Sequence, residues 1–127
     1  MPERKEYEYA LIRVVPRVER GECLNVGVIL YCKKARFLGI RYHLSAQRLL
    51  ALWPELDLDE VGTHLAAWEK VALADAEGGP IAQLDDPERF RWLTAAKSTV
   101  LQCSPVHPGL TLEPAAELDR LFEQYVG

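Results

Sequence analysis

The sequence predicts an α+β domain, with an antiparallel sheet that starts with a three-stranded meander and with helices packed on one face of the sheet. Two observations favour this class. Segments rich in aromatic and β-branched residues fill the first third of the chain, and helix signals dominate the remainder. Because strands and helices are segregated rather than alternating, we expect one α+β domain over residues 1–127.

Short connections join the first three predicted strands. These strands cover residues 7–15, 23–32 and 36–42. Pro16 ends the first strand, and the polar connection after it contains Gly21, a residue that adopts positive φ without strain. The first two strands are therefore expected to form an antiparallel hairpin. A second tight connection at residues 33–35 completes the meander.

Two helices are predicted next in the chain. Ser45 is typical of a helix N-cap, and Pro54 ends the short helix that follows. Asp57, with Glu60 three residues later, resembles a capping box with Asp in place of the usual Ser or Thr. Apolar residues recur at spacings of three and four in this second, longer helix, so one of its faces is expected in the core.

A helix, a strand and a last helix complete the prediction. Asp86 and Pro87 have the order of a cap followed by a first helical residue. Residues 98–102 alternate and contain β-branched residues, which favours a strand that joins the sheet. Pro114 opens a final helix with an apolar side.

Composition places the chain among globular cytoplasmic proteins. Its 127 residues are 49% apolar and 27% charged, which is ordinary for one domain. Three cysteines in apolar runs, at Cys23, Cys32 and Cys103, favour reduced thiols rather than a disulfide framework. No apolar run approaches the roughly 18 residues that a membrane span requires, so no membrane association is expected.

The charge is distributed unevenly along the chain. Residues 1–48 carry ten Lys and Arg against five Asp and Glu, whereas residues 49–127 carry five against fourteen. One interpretation is a basic strand surface that attracts an anionic partner. The favoured alternative is that the basic half neutralises the acidic half within the fold.

Strand parity brings unusual polar residues together. If the hairpin turn is centred near Glu19, Arg13 lies across from Asn25 and Leu11 lies across from Gly27. Both polar side chains then project from the same side of the sheet. Gly27 is costly inside a strand, and a close approach of backbone or ligand would explain it.

This cluster has a functional and a structural interpretation. In the functional one, Arg13 binds an anion or carboxylate, Asn25 orients it, and Glu22 serves as an acid or base, with Arg17 as a further binding candidate. In the structural one, Arg13 pairs with Glu22 or Glu19 and Asn25 satisfies backbone groups of the turn. Gly27 then marks a β-bulge.

Other candidates are weaker. Cys103 and His107 are four residues apart, but a zinc site needs about four ligands and a nucleophilic pair needs an orienting third group. We therefore predict neither a metal nor a cofactor. Residues 89–92 interleave arginines with aromatic residues, as single-stranded nucleic-acid binders do, yet the pI near 5.4 makes nucleic acid an improbable partner.

The chain resembles a known family in several of these segments. An arginine-bearing strand precedes Gly-Glu-x-x-Asn-Val-Gly-Val, which spans Gly21 to Val28. Together with residues 89–95, 98–100 and 104–107, this pattern is similar to DUF3037, a bacterial family of uncharacterised proteins, over nearly the whole chain. Residues 96–97 are Ala-Lys where the family pattern has proline and arginine, so no role is assigned to a basic residue there.

The resemblance implies a partner or regulator role beside HipA-like kinase proteins. The first hypothesis is accordingly an accessory or binding domain that docks a protein partner through the basic hairpin and the loop from Ser104 to His107, with a kinase-like protein as the candidate partner. The second is an enzyme that acts on an anionic substrate with Arg13, Glu22 and Asn25, joined by His107. Nucleic-acid binding is the third, and no oligomeric state is predicted.

Overall fold

The computed structural model describes residues 3–95 and 100–127. Within them the elements run β1 (Lys5–Val14), β2 (Leu24–Cys32), β3 (Phe37–Tyr42), α1 (Ala46–Leu52), α2 (Leu58–Ala72), α3 (Asp86–Thr94), β4 (Leu101–Cys103), β5 (His107–Thr111) and α4 (Pro114–Tyr125). Short 3-10 turns cover Val18–Arg20, Ala76–Gly78 and Pro80–Gln83. The predicted α+β class and the opening meander are confirmed.

The described strands form one antiparallel sheet. β3, β2 and β1 lie side by side, and the outer edge of β1 is shared by two short strands. β4 pairs with the C-terminal part of β1 and β5 with its N-terminal part. Of the strand predicted over 98–102, residues 98–99 lie outside the described residues, and β4 itself begins at Leu101.

Helices cover both faces of the sheet, so the predicted packing on one face is wrong. α1, α2 and α3 pack on the face that carries Ile12 and Ile29, whereas α4 packs on the opposite face, against Val28 and Leu30. The cause is β2, in which every residue from Val26 to Cys32 is buried. A strand that is apolar on both sides requires cover on both sides.

The helix starts agree with the capping signals. The Ser45 side chain accepts a hydrogen bond from the Arg48 amide at 3.3 Å, and Asp57 accepts one from the Glu60 amide at 3.1 Å. These bonds satisfy amides that the first turn of a helix leaves unpaired. The predicted N-termini of α1 and α2 are confirmed.

A β-bulge changes the register of the hairpin. Arg13 pairs with Asn25 as predicted, but Ile12 pairs with Gly27 and Leu11 with Val28, so the predicted pairing of Leu11 with Gly27 is wrong. The register shifts between Ile12 and Arg13, which leaves an extra residue in β2. Parity along β2 is thereby reversed, so that Asn25 faces α4 on the same side as Arg13.

Candidate functional site

Arg13 and Asn25 are in direct contact on the α4 side of the sheet. The Arg13 Nε donates a hydrogen bond to the Asn25 Oδ1 at 3.3 Å, and both residues are half-buried. The Asn25 Nδ2 donates in turn to the carbonyl oxygen of Tyr125 at 3.5 Å. Asn25 therefore joins the arginine of β1 to the last turn of α4.

Aromatic residues extend this contact along β1. The Tyr9 ring lies 6.4 Å from the Tyr125 ring and 5.5 Å from the His107 ring, measured between centroids. Tyr9 and Arg13 are four positions apart on one face of the strand, a span of about 13 Å. We call the continuous set Arg13, Asn25, Tyr125, Tyr9 and His107 the Arg13 surface.

The Arg13 surface combines a neutral tyrosine with a charged arginine. Burial, followed by the hydrogen bond with Tyr125, raises the pKa of Tyr9, so its hydroxyl stays neutral at physiological pH. Among residues 3–95 and 100–127, no carboxylate forms an ion pair with Arg13. The Arg13 guanidinium is therefore a cation held by a neutral partner.

Glu22 and Arg17 lie apart from the Arg13 surface. Glu22 is exposed and pairs with Arg20 at 2.5 Å, so neither the predicted acid or base beside Asn25 nor the alternative Arg13–Glu22 pair is present. Arg17 is exposed and lies beside Trp53 in another part of the surface.

Ser104 and Gly27 have structural surroundings. Ser104 is buried, and its Oγ accepts a hydrogen bond from the Leu11 amide at 2.8 Å and donates to the Pro105 carbonyl at 2.9 Å. A Cβ at Gly27 would lie 2.8 Å from the Cβ of Tyr42 and 2.9 Å from a backbone oxygen of the same strand. The close approach predicted at Gly27 is thus that of β3 rather than of a ligand.

Three cavities lie elsewhere on the molecule. The largest, about 780 Å³, lies beside β5; the others, about 580 Å³ and 270 Å³, adjoin Trp53. None of these three is lined by Arg13, Asn25 or His107. Arg17 and Glu22, by contrast, both line the cavity of about 270 Å³. The residues proposed for an enzyme on an anionic substrate are therefore divided, with Glu22 at a concave site and Arg13, Asn25 and His107 outside these three.

Cys103 and His107 do not form a pair. The Cys103 thiol donates to the Leu93 carbonyl at 3.4 Å and packs with the core under α1, α2 and α3, whereas His107 is exposed beside Tyr9 on the other face. Within the described ranges, no three His, Cys, Asp or Glu residues are grouped as metal ligands. Nor is any helix there long and apolar enough to cross a membrane.

Sequence reasoning did not include Tyr9 and Tyr125 in the site. The parity that selected Arg13 also places Tyr9 on its face, and this signal was sufficient to find it. Tyr125 lies at the end of the last helix, and its contact with Tyr9 depends on α4 crossing the sheet. No local pattern specifies that crossing.

The family model described as a protein of unknown function, DUF3037, matches residues 9–126. The chain therefore belongs to this family. The match begins at Tyr9 and includes every residue of the Arg13 surface. Neither the curated proteins nor the solved structures contain a match to the chain.

Proposed function

We propose that the chain is a binding domain that docks a protein partner through the Arg13 surface. One observation carries the proposal. The half-buried Arg13 guanidinium bonds to Asn25 through Nε, and no described carboxylate neutralises it. Its remaining N–H groups are suited to a carboxylate of another protein, because a charge-assisted bond of this kind is stronger than a neutral one.

The composition of the Arg13 surface supports protein binding. Tyrosine and arginine are enriched among the residues that dominate binding energy at protein interfaces. Tyr125 is 37% exposed, and His107 is exposed at the opposite end of the set. The tyrosines offer rigid apolar area with a polar tip, so the expected partner presents an acidic residue next to an apolar patch.

A HipA-like kinase is the partner that we propose from the family resemblance. The cytoplasm is the proposed compartment, and the absence of a disulfide at Cys23 and at Cys32, two of the described residues, supports a reducing environment. Docking by a small domain that contributes a positioned arginine would suit a regulatory role toward such a kinase.

Native co-purification tests the proposal. The tagged chain is expected to retain a partner from its host that Arg13→Gln loses. Once purified, that partner should bind the Arg13→Gln variant about ten- to a hundred-fold more weakly, because a charged hydrogen bond is removed. Arg36→Gln is the matched control, since Arg36 is exposed in the β2–β3 turn, at the other end of β2 from Asn25.

Two results would refute the proposal. One is the recovery of the same proteins by the wild type and by Arg13→Gln. The other is an equal loss of binding in Arg36→Gln, which would indicate a general effect of charge rather than recognition at the Arg13 surface. Ser104→Ala, which removes a buried structural bond, should lower stability without removing the partner.

A further inference from the structure

A groove lies beside β5, on the face of the sheet opposite to the Arg13 surface, where Tyr31 packs with the core under α1, α2 and α3. It has a volume of about 780 Å³, and we call it the β5 groove. Its lining consists of Glu6, Tyr7, Glu8, Tyr31, Lys33, Val106, Pro108, Gly109 and Leu110. The Tyr31 ring lies 5.5 Å from the ring of Phe90 in α3, so the groove adjoins the helix layer on this face.

The floor of the β5 groove along β5 is apolar and open. Pro108 and Leu110 occupy alternate positions of β5 and so share one face of the strand, and Val106 directly precedes the strand. Val106 is 39% exposed and Leu110 is 58% exposed. Contiguous exposed apolar side chains on a sheet face are typical of a surface that binds another protein.

Two acidic residues, Glu6 and Glu8, lie in the lining of the groove beside this apolar floor. The charges of Asp85 and Asp86 act on Tyr31, which belongs to the same lining. Burial, and then the charges of Asp86, Glu8 and Asp85, raises the pKa of Tyr31, while Arg91 opposes them. Lys33 is the cation in the lining, and Asp86 is already paired with Arg89. Two glutamates against one lysine leave an excess of negative charge in the lining, which favours a basic occupant.

The form of the occupant follows from Pro108. It has no backbone N–H to donate, and a proline in an edge strand discourages the addition of a further strand. The occupant is therefore expected to lie across the sheet face rather than to extend the sheet. An α-helix parallel to the existing layer would continue the packing of α3 on β2.

We infer that the β5 groove binds an amphipathic helix of a protein partner, one whose apolar stripe is flanked by lysine or arginine. The inference rests on the proposed function, since it names a second contact surface for a protein partner. Apolar residues of the helix would cover Leu110 and Val106, and its basic residues would reach Glu6 and Glu8.

A peptide titration followed by NMR tests the inference on the full chain. The probe is a synthetic amphipathic helix of about 18 residues, or five turns, built from leucine and lysine, with a leucine and glutamate peptide as its counterpart. The basic peptide should shift signals of Glu6, Glu8 and residues 106–110. Leu110→Ser should weaken its binding about ten-fold, because one leucine loses its apolar contact.

Leu52→Ser is the matched control, because Leu52 is 57% exposed against 58% for Leu110 but lies outside the β5 groove. Unchanged binding in Leu110→Ser, equal weakening in Leu52→Ser, or equal binding of the acidic peptide would overturn the inference. Its failure is distinguishable from that of the proposed function. If Arg13→Gln loses the partner but no peptide binds in the β5 groove, only the inference about the groove is refuted. If the basic peptide binds in the groove but no partner depends on Arg13, only the proposed role of the Arg13 surface is refuted.

Discussion

Arg89 is 5% exposed, and three carbonyl oxygens of neighbouring segments accept its hydrogen bonds. The guanidinium donates to Leu84 at 2.9 Å, to Val71 at 2.9 Å and to Ala72 at 2.7 Å. It also pairs with Asp86 in the first turn of α3. Arg89 thus satisfies the end of α2 and the loop before α3, and it is not available for the nucleic-acid contact weighed from the sequence.

Arg89→Met is expected to lower the free energy of unfolding by about 3 kcal/mol, because it leaves buried carbonyls without donors and Asp86 without its cation. Urea denaturation at neutral pH measures this change. Arg91→Met, two positions along α3 and exposed, should change stability by less than about 0.5 kcal/mol. Equal effects of the two substitutions would contradict the role given to Arg89.

Glu117 predicts a pH dependence. The hydrogen bond from Arg120 lowers the pKa of this carboxyl, burial opposes the change, and the hydrogen bond from the Tyr7 hydroxyl adds to it. Arg120 donates through Nε at 2.8 Å and through Nη2 at 2.7 Å. Because the pKa is depressed in the folded state, the stabilisation is present above the ordinary value and is lost as the pH falls through the folded one.

Glu117→Gln should therefore lower the free energy of unfolding by about 1 kcal/mol at pH 7, and the difference from wild type should shrink below about pH 4. Denaturation curves at pH 7, 5 and 3 provide the comparison. Glu19→Gln, an exposed control, should follow the wild type throughout. A deficit that stays constant down to pH 3 would exclude the carboxylate as its cause.

Individual site residues were predictable where strand geometry alone decides their place. Arg13 and Asn25 face each other as the turn predicts, because this pair lies between the turn and the bulge and keeps the register that the turn sets. The position of Glu22 was not predictable, because its side chain lies in the connection between β1 and β2 and pairs there with Arg20. Ser104 fills a backbone site at the step between β4 and β5, which no sequence pattern indicates.

At the scale of elements, Gly27 allows β3 to pack closely against β2. Gly27→Ala would place a Cβ 2.9 Å from the Arg41 carbonyl oxygen and 3.0 Å from the Ile12 Cδ1. The backbone of β3 cannot yield without breaking the sheet, so we expect a loss of about 2 kcal/mol in urea denaturation. Gly62→Ala in α2 is the control, since its nearest neighbour is the Leu44 Cδ1 at 3.8 Å.

The Gly62→Ala control should be stabilised by about 0.5 to 1 kcal/mol, because alanine is more favourable than glycine in a helix interior. A neutral Gly27→Ala substitution would show that β3 approaches less closely than the structure indicates. We therefore expect the free energy of unfolding to fall in Gly27→Ala and to rise in Gly62→Ala.

The element missed from the sequence is β5. Pro108 and Gly109 are poor strand formers, and the strand forms because β1 offers pairing positions from Lys5 to Tyr9. The helices were predictable because their caps and apolar spacings are local. Their distribution over two faces is not local, since it depends on which side of β2 each apolar stripe meets.

At the scale of the whole molecule, the uneven charge is only partly neutralised by direct pairing. Among the described residues, Arg41 is the one basic residue of the first 48 that pairs with later carboxylates, Asp119 at 2.9 Å and Glu123 at 3.5 Å. Its guanidinium also lies 4.2 Å from the centroid of the Phe122 ring. The contact anchors α4 to β3, and Arg13 remains outside such pairing.

The central claim is that Arg13, positioned by Asn25 and Tyr125, recognises an acidic group of a protein partner. The most direct test is a calorimetric titration of the purified partner with the wild type, Arg13→Gln and Arg36→Gln, each shown to have the same unfolding midpoint. We predict that Arg13→Gln alone loses about ten- to a hundred-fold in affinity. Equal affinity of all three proteins would contradict the claim.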